Sequence, residues 1–122
     1  MEKRKTFTFT LDGINKWKNC YFVPARYVDP PNLALQIMND EQGEIAICTV
    51  NPSRYKGDDV LCVKDYSENC GMTQFLVKMG IIKDEFNWAD TEESGYIFIN
   101  AYTLTKKGKA LFANVPETEP TI

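Results

Sequence analysis

A chain of 122 residues with 43% apolar and 25% charged side chains can bury one core of its own and is short enough to be a single domain. Its 17 acids and 14 bases leave a formal net charge of −3, the wrong sign for a protein that coats polyanions. There is no histidine, which removes the usual general base, the Ser-His and Cys-His nucleophile pairs and every zinc site that needs imidazole.

Taken in chain order, 6–11 alternates cleanly, with Phe7, Phe9 and Leu11 on one face and threonines on the other, as a half-buried strand does. Asp12-Gly13 signals a turn, and 14–19 makes a polar connection around Trp17. The stretch 20–28 is rich in aromatic and β-branched residues. Pro24 has no N–H to give a ladder, so this strand is expected to be bulged, broken or at an edge. Asp29-Pro30-Pro31-Asn32 reads as a rigid loop. Then 33–38 and 44–50 read as a β-hairpin closed by a loop of about four or five residues.

The segment 60–82 has the most consistent local signals. Val60, Leu61, Cys62 and Val63 form the continuous apolar run of a strand buried on both faces. Ser67 is the expected N-cap of a helix, with Glu68 in its first turn where the dipole favours a negative charge. Met72, Phe75, Leu76 and Met79 make one apolar stripe at i, i+3, i+4 and i+7, and Gly80 is placed to stop the helix with positive φ. Asp65, Ser67, Glu68 and Cys70 could form an acid-and-thiol cluster at the helix start, but capping and a partly buried cysteine explain them more simply.

Beyond the helix, 83–95 lacks periodicity and reads as an exposed connection. A strand is expected over 96–104, with Ile97, Ile99 and Ala101 set against Tyr96, Phe98, Asn100 and Tyr102. The stretch 105–114 is ambiguous, with a short strand around Leu111 and Phe112 as one option. The expected architecture is α+β: an antiparallel sheet of about five to six strands with one principal helix packed on one face. It would form a single domain over 1–115, with a flexible tail over 116–122.

Cys20, Cys48, Cys62 and Cys70 have no C-x-x-C spacing, so neither a zinc ribbon nor a thioredoxin-like motif is expected. Lys3, Arg4 and Lys5 are not followed by the apolar run of a signal peptide, and no stretch approaches the length of a membrane span. A cytoplasmic, reduced protein without cofactor or metal is the expectation.

Charge is unevenly placed. Residues 1–18 hold five bases and two acids, whereas 84–93 holds five acids and no base. Asp84, Glu85, Asp90, Glu92 and Glu93, with Phe86 and Trp88 among them, are the candidate protein-binding residues. Aromatics supply contact area and acids supply steering, and such a loop could imitate the phosphates of a nucleic acid. The plainer alternative is a solvated loop whose two rings tuck over the core. A competing reading has the protein bind single-stranded nucleic acid through Lys3, Arg4, Lys5, Lys16, Lys18, Lys106, Lys107 and Lys109 together with strand aromatics. Carboxylate pairs such as Asp58 with Asp59 and Asp65 with Glu68 come without a glycine-rich loop, nucleophile elbow or metal-ligand spacing, so no enzyme is expected.

The run Gly57-Asp58-Asp59-Val60-Leu61-Cys62-Val63-Lys64-Asp65-Tyr66-Ser67-Glu68-Asn69, followed by Gly71-Met72 and Met79-Gly80-Ile81-Ile82, resembles a family of small bacterial proteins of unknown function. That family is associated with Firmicutes phage-like, plasmid or conjugative elements. The hairpin from Asn32 to Asn51 is also similar to it, so the resemblance covers about residues 20–100. Cys70 departs from the family's pattern, which weakens any catalytic reading of that thiol. The resemblance brings no active site. It implies an accessory protein of a mobile element, a setting in which small acidic proteins often inhibit host defence, as anti-CRISPR and antirestriction proteins do.

Overall fold

The computed structural model describes residues 5–94, 97–113 and 115. Among them run β1 (Phe7–Phe9), β2 (Trp17–Arg26), β3 (Leu33–Asn39), β4 (Gly43–Ile47), β5 (Val60–Val63), α1 (Met72–Lys78), β6 (Ile82–Phe86), β7 (Glu92–Ser94), β8 (Ile97–Leu104) and α2 (Lys106–Phe112). The chain is α+β, but its strands form two antiparallel sheets of four rather than one of five to six. The orders are β1-β2-β3-β4 and β5-β8-β6, with β7 also on β8. The expected tail over 116–122 lies outside the described residues, as do Lys3, Arg4 and Tyr96.

In the first sheet the turns are closed by short polar side chains. Asp12 Oδ1 accepts the N–H groups of Ile14 and Asn15, both at 2.8 Å, which bends the chain from β1 into β2. Asn39 Oδ1 accepts from the N–H groups of Glu41 and Gln42 at 2.8 and 3.0 Å. Because Asn39 pairs with Gly43 across the ladder, only residues 40–42 remain as loop, shorter than expected. Pro24 lies within β2 without breaking it. It faces Leu35 of β3, while β1 covers β2 only from Trp17 to Cys20, so the proline's other side needs no N–H.

The segment at Cys48 and Thr49 is bonded into both sheets. Cys48 N–H donates to the Leu35 carbonyl of β3 at 2.8 Å, and Cys48 C=O accepts from Lys64 N–H just past β5 at 2.9 Å. Thr49 forms an isolated bridge to Val63 beside it. The main core then draws on both sheets and both helices, with Leu33, Leu35, Ile37, Leu61, Val63, Met72, Leu76, Leu104 and Phe112 among its buried members. The opposite face of β5 is also covered, as its apolar run implies: Val60 and Cys62 join Ile99 and Ala101 in a second cluster.

Ser67 is not the helix N-cap. It sits at φ 53 and opens a 3-10 turn over Ser67–Asn69, and α1 begins only at Met72 after Gly71 at φ 98. The capping acceptor is Asp65, whose two carboxylate oxygens take Gly71 N–H at 2.7 Å and Thr73 N–H at 3.0 Å. Burial alone would raise the Asp65 carboxyl, but the backbone N–H groups at the helix start outweigh it and hold it below the usual carboxylate range. At the other end the expected stop is present. Gly80 N–H donates to Val77 C=O at 2.9 Å and Ile81 N–H to Leu76 C=O at 3.0 Å, with Gly80 at φ 79.

The apolar stripe of α1 does not lie on a single sheet. Phe75 meets Phe7, Phe9 and Phe22 of the first sheet with ring centroids 5.8, 4.9 and 6.3 Å away, while α1 also touches β6 of the second. The ambiguous stretch 105–114 contains a helix rather than a final strand. Thr105 caps α2 by accepting Gly108 N–H at 3.0 Å, and its hydroxyl reaches back to the Gly80 carbonyl at the end of α1.

Candidate interaction surface

The acidic stretch is an interrupted edge strand and not a free loop. β6 pairs with β8 from Ile82 to Phe86, and β7 pairs with it again from Glu92 to Ser94. Between them, 87–91 bulges outward and is pinned at both ends to one residue of β8. Asn87 N–H donates to Ala101 C=O at 2.8 Å, and Ala101 N–H donates to Thr91 Oγ1 at 3.0 Å. The stretch escaped a period-two reading because only Ile82 of β6 is buried, leaving Lys83 to Phe86 exposed. A charged, interrupted edge of this kind is also how a sheet avoids pairing with other chains.

Trp88 stands on the bulge, 75% exposed. Its ring lies against Phe86 with centroids 4.9 Å apart, and Phe86 stacks on Tyr102 of β8 at 5.5 Å and 28°. Tyr102 is buried in the main core, so the three rings form a ladder rooted inside and ending in solvent. Phe86 therefore covers the core at Tyr102, as the plainer alternative expects, whereas Trp88 stands outside it. Exposed apolar area fixed in position by stacking is the kind that contributes most to a protein interface, because little side-chain freedom remains to be lost on binding.

The acids divide into two groups. Asp84 and Glu85 on β6 and Glu93 on β7 are exposed, and Asp90 in the bulge is partly so. Glu92 is committed inward. Its carboxylate accepts Ser53 N–H at 2.6 Å and the Ser53 hydroxyl at 2.8 Å, and lies 3.7 Å from Lys56 Nζ. Of the seven candidate residues, six thus share an accessible edge and Glu92 fastens that edge to 51–59. Tyr102, which roots the ladder, was missed in the sequence as a member of this surface. The aromatics alternating on the second face of its strand were the available signal.

The rival basic strip is not assembled in the same way. Lys107 Nζ donates to the Met79 carbonyl at 2.8 Å, completing the end of α1. Phe7 and Phe22 pack on each other with centroids 4.6 Å apart and on Phe75, so part of each ring is taken up by the core. The carboxylate pairs of the sequence also have local duties: Asp65 caps α1, Glu68 pairs with Lys64 at 2.6 Å, and Asp58 pairs with Arg26 at 3.0 Å.

Cys20, Cys48 and Cys62 are buried free thiols, while Cys70 is exposed rather than partly buried. Among the described residues, no three of Cys, Asp and Glu gather in an arrangement that could hold a metal. No helix among them is long and apolar enough to cross a membrane. Comparison of the chain with protein-family models, curated proteins and solved structures gives no match.

Proposed function

We propose that the chain is a non-catalytic binding protein whose contact surface is the Phe86–Trp88 ladder with the exposed carboxylates of Asp84, Glu85, Asp90 and Glu93. The single observation carrying this reading is the 75% exposure of Trp88 at the end of a ring stack that begins in the core. A large ring held in solvent by its neighbours, with acids and no base in the surrounding 84–93, suits a basic partner surface with an apolar recess. The resemblance to proteins of bacterial mobile elements supports a narrower version, in which the partner is a nucleic-acid-handling enzyme of host defence and the chain is its inhibitor.

The test compares two tagged forms for recovery of a saturable partner from host lysate. One is the wild type, and the other carries Asp84→Asn, Glu85→Gln and Glu93→Gln. Partner recovery should fall at least about tenfold in the variant, the effect of losing one to two charged hydrogen bonds. Equal recovery by both forms would remove this edge from the function. The lysine-based alternative predicts salt-sensitive retardation of single-stranded DNA or RNA in a gel, which the proposed reading does not.

A further inference from the structure

A second site is built where the end of β2, the entry to β5 and α2 line an open cleft of about 510 Å³. At its inner end is Arg26, only 4% exposed. The guanidinium Nη1 donates to the Pro31 carbonyl at 3.0 Å and pairs with Asp58 at 3.0 Å. Its Nε–H is buried with no acceptor among the described residues. Asp58 in turn accepts from the Tyr55 hydroxyl, which fixes the pair from the solvent side. Buried guanidinium donors are normally satisfied, because a planar fork left partly unpaired is costly, so an unspent donor beside a cleft is a feature that a ligand would complete.

The remaining lining defines the ligand's chemistry. Lys109 of α2 and Asp59 at the mouth of β5 are both exposed on the cleft, and Leu33 and Phe112 supply apolar floor. With Arg26 already matched by Asp58, a multiply charged anion would meet two carboxylates and is disfavoured. A small zwitterion meets complementary charge at both of its ends. The geometry points to a free α-amino acid with an apolar side chain as the ligand class. Its carboxylate would lie toward Arg26 and Lys109, its ammonium toward Asp59 and its side chain on Leu33 and Phe112. The volume falls within the range typical of small-molecule sites.

Titration of the isotope-labelled full chain with L-leucine, read by backbone amide shifts, tests the site. Leucine should shift the amides of Asp59, Lys109 and Phe112 saturably at millimolar concentration. N-acetyl-leucine, which lacks the ammonium, and leucinamide, which lacks the carboxylate, should each bind at least about tenfold more weakly. Lys109→Ala and Asp59→Asn, both at exposed positions, should keep the wild-type unfolding midpoint and weaken leucine by a similar factor. Arg26→Lys probes the buried donor directly, and if that variant does not fold the two surface variants decide. Absence of shifts at the cleft with leucine overturns the site. Equal binding of leucine and its two capped forms overturns the zwitterion assignment.

Discussion

Lys56 and Glu92 meet across two segments that are far apart in sequence: the ammonium lies 3.7 Å from the carboxylate, and the lysine side chain is only 4% exposed. Glu92 also takes both donors of Ser53, so one carboxylate fastens β7 to 51–59. Glu92→Gln keeps the shape but leaves the Lys56 charge buried without its counterion. It should cost about 2–3 kcal/mol of stability at neutral pH. The Ser53 N–H is the main cause of a Glu92 carboxyl held below its ordinary 4.5, acting against burial and aided by the Ser53 hydroxyl and Lys56. A depressed acid contributes stability that is complete above its unfolded value and is lost as pH falls through the folded one. Urea unfolding of both forms should therefore show a gap that is full at neutral pH and shrinks as pH is lowered below 4.5. A gap independent of pH would show that the carboxylate charge is not what matters.

Gly108 lies inside α2 with ordinary helical backbone, so its smallness is demanded by packing and not by φ. A Cβ there would stand 2.2 Å from the Ile81 carbonyl oxygen and 3.1 Å from Leu104 Cδ2. The first of these is backbone and cannot swing aside. In an exposed helix Gly→Ala stabilises, but here it should destabilise by about 3 kcal/mol or more, at or above the upper end of overpacking costs. Thermal unfolding of Gly108→Ala distinguishes the two signs directly.

The four thiols should divide one against three. Cys70 is exposed, whereas Cys20, Cys48 and Cys62 are buried and burial pushes each of their thiols up, that of Cys62 to about 12. The thiolate is the reactive form, so a disulfide reagent at neutral pH should label one cysteine quickly in the folded protein and all four after denaturation. Mass spectrometry of the quickly labelled peptide should find Cys70. Fast labelling of Cys48, which is bonded into both sheets, would mean that the junction between them opens readily.

The parts of this fold legible in the sequence were those in which one residue's environment is set by near neighbours. The apolar run of β5, the stripe of α1 and the Gly80 stop all follow from local pattern and appear as expected. What was hidden depends on partners that local spacing does not pick out. Asp65 takes the capping role that local spacing gives to Ser67, because the chain turns through Gly71 and brings the helix start back to it. β6 and β7 have no alternation to read, since an edge strand over a broken ladder can expose nearly every side chain and still be held by β8. The seven candidate residues were found by composition, which cannot tell Glu92, turned toward Lys56, from Glu93, turned outward.

Trp88→Ala separates the working surface from the scaffold. The ring is 75% exposed and touches Phe86, which keeps its own stack on Tyr102 when Trp88 is gone. Removing it should leave the unfolding free energy within about 0.5 kcal/mol of the wild type, as for other surface substitutions. The same change should cost about 2 kcal/mol or more in partner binding, the range of an aromatic anchor, which lowers recovery in a pull-down at least about thirtyfold. Phe86→Ala differs, because it strips the covering from Tyr102 and should lower both stability and binding. A Trp88→Ala protein that is fully stable and still recovers partner as the wild type does would move the interface away from this edge. One that loses stability as well would mean that the ring belongs to the fold.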